Sequence, residues 1–174
     1  MSRVCHGTVT WGWWSDYMGI GVIPEGVDRR DVPVDLVDWV GADRLIHDVL
    51  EAVQGEVTSV LEVQYVAGGE RYRFQMILTL LVYAYARGVF DASEIESRCL
   101  SEADFRYLAT PDCPGAGVLR MFRRREKSHV RSSLARLFQS VSQRLGAPAG
   151  VDAESEASRR LEAAIAADNL ALDY

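Results

Sequence analysis

The sequence predicts a mainly α protein: a compact helical domain with a helix-turn-helix-like arrangement, a long basic helix and one short β segment near residues 57–66. Two observations support this fold class. Apolar residues recur at spacings of three and four along much of the chain. Glycines, prolines and capping residues divide that pattern into separate helices. With 174 residues, the chain is long enough to bury the core of one domain.

The first helical pattern covers residues 36–53 and is interrupted at Gly41. Gly55 follows it and is expected to end the helix. Residues 57–66 are rich in β-branched side chains and alternate in part, which predicts a short extended segment. The turn Gly68-Gly69 is expected to close it.

The clearest helix signal is the apolar run Phe74–Ala86, which is thirteen residues long and is followed by Gly88. A bilayer span needs about 18 or more apolar residues, so this run is expected to form a buried core helix. We therefore predict no membrane partner. No secretory signal is evident at the start of the sequence, and together with the expected reduced thiols this predicts a cytoplasmic location.

Capping residues predict two short helices after Gly88. Asp91 with Glu94 has the pattern of a capping pair and opens a helix to about residue 100. Ser101 with Asp104 offers a second cap, for a helix to about residue 109.

A longer helical pattern follows a turn rich in proline and glycine. It covers residues 118–145 and ends at Gly146. A last helix is expected over about residues 155–169, in a stretch rich in alanine and glutamate. The predicted organisation is an aromatic and glycine-rich extension (1–31), a helical domain (32–146) and an acidic helical tail (147–174).

Charge is distributed unevenly along this chain of net charge −6. Residues 1–70 carry four basic and twelve acidic side chains, whereas residues 115–145 carry eight basic side chains and only Glu126 as an acid. A local basic field attracts polyanions even when the total charge is negative. The basic segment is therefore the main candidate for a binding surface.

On one continuous helix, five cations of this segment fall within an arc of roughly 100°. They are Arg120, Arg123, Arg124, Lys127 and Arg131. Like charges on one helix face repel each other, so the pattern suits neutralisation by phosphates. A solvated helix face is the alternative, and a membrane-surface helix is less favoured because the opposite face is small.

Catalytic motifs are not found in the sequence, which contains no GxSxG, HExxH, P-loop or dinucleotide-binding glycine pattern. The three cysteines and three histidines lack the spacing of metal ligands. We predict no catalytic residue, no metal and no cofactor, and expect the thiols to be reduced.

The order and spacing of several motifs resemble the N-terminal domain of IS5- and IS1182-like transposases. The similar stretches are the run 74–90, Ser93-Glu-Ile-Glu96, Phe105-Arg-Tyr-Leu-Ala109, Pro114 and Phe122-Arg-Arg-Arg125. The resemblance covers roughly residues 32–145. It implies a helix-turn-helix-like domain that binds double-stranded DNA, with Arg120, Arg123, Arg124 and Arg125 as DNA contacts.

Two departures from the family pattern matter. Gly115, Ala116 and Val118 stand where the family usually has Asp, an aromatic residue or His, and later Thr. The Asp and Thr would have capped the basic helix, so the start of this helix is expected to differ. The catalytic acidic domain of the family is not present, and Asp152 stands where its first aspartate often lies. We therefore expect a protein that is not a transposase by itself.

Two functions remain open from the sequence. The first is a non-catalytic, transposase-derived DNA-binding protein that acts as a regulator, recruiter or transposition inhibitor, and that is nucleoid-associated if it binds DNA. A homodimer would use the apolar face of residues 134–145 or the C-terminal helix. The alternative is an adaptor that binds another protein through the Trp-rich N-terminal part or the C-terminal helix.

Overall fold

The structure is a computed structural model that describes residues 32–56, 64–67, 70–146 and 152–172. The predicted N-terminal extension lies outside the described residues. Eight helices and two strands are found in the described part: α1 Val37–Val40, α2 Ala42–Glu56, β1 Gln64–Ala67, β2 Glu70–Arg73, α3 Phe74–Ala86, α4 Ala92–Ser101, α5 Ala103–Leu108, α6 Ala116–Arg125, α7 Lys127–Leu145 and α8 Ala153–Leu172. The mainly α fold class is confirmed.

Helix α3 lies at the centre of the fold, and every residue from Ile77 to Ala86 is buried. The predicted core helix is thus confirmed. It ends where Gly88 adopts a φ of 72°, a conformation that favours glycine. A Cβ atom at this position would lie 2.5 Å from Cγ1 of Val34, so the close approach of the two segments also requires glycine.

Two groups of helices pack around α3. On one side, α7 packs against α2, α8 and α3, and both α2 and α8 also contact α3. On the other side, α4 packs against α5 and α6, and both α5 and α6 contact α3. The basic helix α6 therefore belongs to the α4–α6 group, and only Glu126 separates it from α7.

The predicted β segment pairs with a second strand that the sequence pattern did not indicate. Strands β1 and β2 are antiparallel, with Gln64 opposite Arg73 and Ala67 opposite Glu70. The predicted turn at Gly68-Gly69 and residues 57–63 lie outside the described residues. Helix α2 continues through Gly55 to Glu56, one residue beyond the predicted stop.

The single long helix predicted for residues 118–145 is wrong, because the chain forms two helices that separate at Glu126. This residue has φ −108° and ψ 29°, outside the helical region. One straight helix over residues 116–145 would be about 45 Å long. The break allows α6 to pack on α4 and α3 while α7 packs on α2, α3 and α8.

One of the two predicted helix caps is confirmed. The Asp91 carboxylate accepts hydrogen bonds from the backbone N–H groups of Ser93 and Glu94, at 2.8 and 2.9 Å. The predicted cap by Ser101 and Asp104 is wrong. Ser101 is the last residue of α4 and donates to the carbonyl of Ser97, while Asp104 accepts from Tyr83 on α3.

The C-terminal helix is longer than predicted and packs on α7. Its residues Ala157, Leu161 and Ala164 are buried in the same core as α3. The apolar residues of α7 are also buried within this one chain: Leu134, Leu137, Phe138 and Val141. The proposed homodimer surface on the apolar face of α7 is therefore wrong, since that face packs against α2, α3 and α8.

No helix in the described part of the chain is long and apolar enough to cross a membrane.

Candidate nucleic-acid interface

The six predicted DNA contacts do not form one continuous stripe. Arg120, Arg123, Arg124 and Arg125 lie on α6, whereas Lys127 and Arg131 lie on α7, beyond the break at Glu126. The arc drawn for a single helix therefore does not apply across the break. The structure divides the six into buried, engaged and exposed groups.

Arg123 is buried, with 1% of its surface exposed, which contradicts its predicted place on a solvent-facing stripe. Its guanidinium forms an ion pair with Asp168 of α8 and donates a 2.8 Å hydrogen bond to the hydroxyl of Tyr85 on α3. Burial raises the pKa of Tyr85 to about 12, although the nearby Arg123 charge acts in the opposite direction. Arg123 thus connects α3, α6 and α8 and is unavailable to a ligand.

Arg120 is engaged by the same acidic residue and is mostly covered. Its Nε lies 3.4 Å from Asp168, and its Nη2 donates a 2.8 Å hydrogen bond to the hydroxyl of Ser93 on α4. Asp168 itself is 2% exposed and also accepts from the backbone N–H of Ala92. The carboxylate of α8 therefore holds two of the six predicted DNA contacts in the fold.

Three of the predicted contacts remain exposed and carry no hydrogen bond or ion pair with the described part of the chain: Arg124, Lys127 and Arg131. Arg124 is in the last turn of α6 and Lys127 opens α7 three residues later. Lys127 and Arg131 are one helical turn apart and line the same open groove, of about 410 Å³, between α7 and α8. Arg125 is also exposed but interacts within the protein.

These three cations lie within residues 124–131, the stretch that spans the junction of α6 and α7, and α6 itself carries no acidic side chain. Glu126, which separates the helices, lies 3.3 Å from the ring Nδ1 of His129. Exposed guanidinium and ammonium groups without a partner in the described part of the chain are suited to phosphate oxygens, which they neutralise with release of counterions.

The start of α6 is held by a residue from another helix, which the sequence pattern did not indicate. Gly115 is the N-cap residue and has no side-chain cap. The Glu96 carboxylate of α4 accepts a 2.9 Å hydrogen bond from the backbone N–H of Ala116 instead. A carboxylate at a helix N-terminus is also favoured by the helix dipole. The Glu96 carboxylate of α4 thus takes the place of a side-chain cap at the start of α6.

Arg160 of α8 is a structural residue that sequence reasoning did not identify. It is fully buried, and its Nη1 donates hydrogen bonds to the carbonyls of Val34, Tyr85 and Ala86 at 2.6–3.0 Å. Its Nη2 reaches Pro33, and its Nε donates to Glu156. Burial lowers the pKa of Arg160, while Glu156 partly offsets that effect. These carbonyl partners could not be predicted from the sequence, which shows only that Arg160 is basic.

Asp152, considered as a counterpart of a catalytic aspartate, has a local structural role at the start of α8. Its carboxylate accepts from the backbone N–H of Glu154 and from the hydroxyl of Ser155. These hydrogen bonds, that of Ser155 first, lower the pKa of Asp152. No group of three or more metal-ligating side chains is found within the described ranges.

Comparison with known proteins identifies no matching family model, no similar curated protein and no similar solved structure. The resemblance to transposase N-terminal domains rests on the sequence motifs alone and stays a prediction.

Proposed function

We propose that this chain is a non-catalytic protein that binds double-stranded DNA through the surface where α6 meets α7. Its role would be that of a transposase-derived regulator, recruiter or transposition inhibitor in the cytoplasm or nucleoid. The observation that supports this best is the group of three exposed cations, Arg124, Lys127 and Arg131, that have no partner in the described part of the chain. The buried Arg123 and the covered Arg120 are not included in the proposed surface.

The proposal gives each helix a definite task. Lys127 and Arg131, on one face of α7, would contact phosphates and set the position of the protein on the duplex. Arg124 and the exposed face of α6 would lie closer to the bases. The α4–α6 group provides the rigid support, because α6 buries Leu119 and Phe122 against the core.

A fluorescence titration of a labelled duplex at several salt concentrations tests this function. Each phosphate contact contributes about −0.9 to the slope of log affinity against log salt. The double variant Lys127→Gln/Arg131→Gln should weaken binding to all sequences and reduce the steepness of this slope by about 1.8.

The matched control is the double variant Arg44→Gln/Arg159→Gln, which also removes two exposed positive charges. These arginines already form ion pairs with acidic neighbours on their own helices, Asp48 and Glu156. The control should leave the slope close to that of the wild type. A wild-type slope near zero, or equal slopes for the two double variants, would contradict DNA binding through this surface.

The adaptor function has less support from the structure. Its C-terminal surface was expected on the last helix, but Ala157, Leu161 and Ala164 of α8 are buried in the core of the same chain. The Trp-rich N-terminal part lies outside the described residues. We therefore retain DNA binding as the proposed function.

A further inference from the structure

The solvent-facing side of α6 carries an exposed apolar residue that phosphate binding does not explain. Met121 is 40% exposed and lies between cations on a helix whose opposite side is buried. At 100° per residue, Gly117, Met121 and Arg124 fall within an arc of about 60°. The buried residues Leu119 and Phe122 lie on the opposite side. The helix therefore presents one coherent face to solvent.

We propose that this face of α6 enters the major groove, where Met121 packs against a thymine methyl group and Arg124 donates to guanine. The inference rests on the proposed DNA-binding function and adds to it the residues that read the sequence. The major groove of B-DNA is about 12 Å wide and accepts one α-helix. It displays the thymine methyl and the guanine O6 and N7 acceptors.

Gly117 gives the helix room to approach the bases closely. It lies in the first turn of α6, is exposed, and has no atom within 4 Å of the position that a Cβ would occupy. A larger side chain at position 117 would hold the helix axis farther from the floor of the groove.

The charge of α6 also suits the major groove of DNA. Arg124 and Arg125 are exposed on the last turn, and the helix contains no acidic residue. Arg124 has no partner in the described part of the chain and can turn its planar guanidinium toward a base edge. An apolar partner protein would be a poorer match for a methionine flanked by arginines.

The experiment starts from selection of bound duplexes from a randomised pool with the wild-type protein. The recovered sites should share a thymine and a guanine, at separate positions. Replacing that thymine by uracil removes only the methyl group and should weaken wild-type binding about fourfold. The variant Met121→Ala should show no further loss on the uracil duplex, because the methyl contact is already absent.

The variant Arg124→Ala should weaken binding to the preferred site by roughly 5- to 150-fold and relax the preference at the guanine position only. The double variant Lys127→Gln/Arg131→Gln serves as the comparison, since it should weaken binding evenly and leave both preferences intact. Met121 and Arg124 are exposed, so each variant should melt at nearly the same temperature as the wild type.

Three outcomes would overturn the inference. Recovered sequences could be random, the uracil penalty could persist in Met121→Ala, or Arg124→Ala could weaken all sequences equally. Each of these leaves DNA binding standing, because the salt dependence measured with Lys127→Gln/Arg131→Gln reports it separately. Failure of the wild type to bind any duplex would overturn both the inference and the proposed function.

Discussion

At the scale of single residues, the two neighbours Arg123 and Arg124 show how position on a helix decides the role of a charge. One step of 100° separates a guanidinium buried against Asp168 and Tyr85 from one that faces solvent. Arg123 is held by residues that are 38 and 45 positions away in sequence. Its partners are therefore invisible to a local pattern.

The buried ion pair leads to a stability prediction. Arg123→Met should lower the free energy of unfolding by about 3–5 kcal/mol, because it leaves the Asp168 carboxylate buried without its principal partner. Urea denaturation followed by circular dichroism measures the change. The adjacent variant Arg124→Met should alter stability by only about 0.5 kcal/mol.

A second variant makes this prediction more specific. The double replacement Arg123→Met/Asp168→Leu removes both charges and should recover part of the stability lost by Arg123→Met alone. If Arg123→Met is as stable as Arg124→Met, the ion pair between α6 and α8 does not form as described.

Asp104 gives the protein a predictable response to acid. A hydrogen bond from the Tyr83 hydroxyl at 2.7 Å and the charge of Arg87 lower the pKa of this carboxyl in the folded state. A lowered folded-state pKa stabilises the fold above the unfolded pKa and loses that contribution as pH falls through the folded pKa.

We therefore expect Asp104→Asn to be less stable than the wild type at pH 7 by about 1–3 kcal/mol. The difference in urea midpoint should shrink as the pH is lowered below about 4, because the carboxyl of the unfolded wild type then binds a proton more readily than the carboxyl of the folded protein does. A difference that stays constant from pH 7 to pH 3 would show that the ionised carboxylate contributes nothing.

At the scale of helices and strands, the sequence predicts most elements and misplaces their junctions. The core helix α3, the cap at Asp91 and the interruption at Gly41 follow from local signals, since periodicity and capping chemistry act over a few residues. The break at Glu126 carries no glycine or proline. The break results from packing of α6 and α7 on two different groups of helices. Contacts of this kind cannot be predicted from the residues near Glu126.

The candidate site could be predicted only in part for the same reason. The density of positive charge identifies the region correctly as basic, and Arg124, Lys127 and Arg131 are indeed exposed. Asp168 of α8 pairs with Arg120 and Arg123 and so decides which arginines are buried or covered. Glu96 of α4 caps α6. Both are contacts between helices distant in sequence.

Helix α8 is held to α3 by Arg160, which satisfies the carbonyls that end α3. The last carbonyls of a helix lack partners within the helix, so a buried guanidinium donating to Tyr85 and Ala86 replaces water. It also packs over the ring of Phe138, with 5.0 Å between the guanidinium carbon and the ring centroid. One side chain thus joins α3, α7 and α8.

Arg160→Ala should lower the free energy of unfolding by about 3–5 kcal/mol, since several buried carbonyls and the Glu156 carboxylate each lose one charged donor at the same time. Hydrogen exchange should increase along α8 and at the end of α3 before other helices. The neighbouring variant Arg159→Ala removes an exposed ion pair and should cost no more than about 1 kcal/mol. Equal effects of the two variants would contradict this role for Arg160.

At the scale of the whole molecule, the first described residues and the first half of α8 meet at the end of α3. Arg160 of α8 donates to Pro33 and Val34, which precede the first helix. Asp35 then accepts a 2.8 Å hydrogen bond from Arg87, which follows α3. The acidic C-terminal helix is therefore a structural partner of the basic helix and of the core.

This arrangement predicts the result of removing residues 147–174. A fragment that ends at residue 146 loses Arg160 and Asp168, and it exposes surface of α7 that α8 covers, including the ring of Phe138. We expect it to lose the cooperative urea transition of the full chain and to expose apolar surface to a fluorescent dye.

Adding a peptide of residues 147–174 in trans should restore the transition, because the lost contacts do not require a covalent link. A peptide with Arg160→Ala and Asp168→Ala is the matched control and should fail to do so. If the fragment instead unfolds at the urea midpoint of the full chain, α8 is an independent tail. Its effect on DNA binding would then be electrostatic only, since its acidic side chains would repel phosphates without supporting α6.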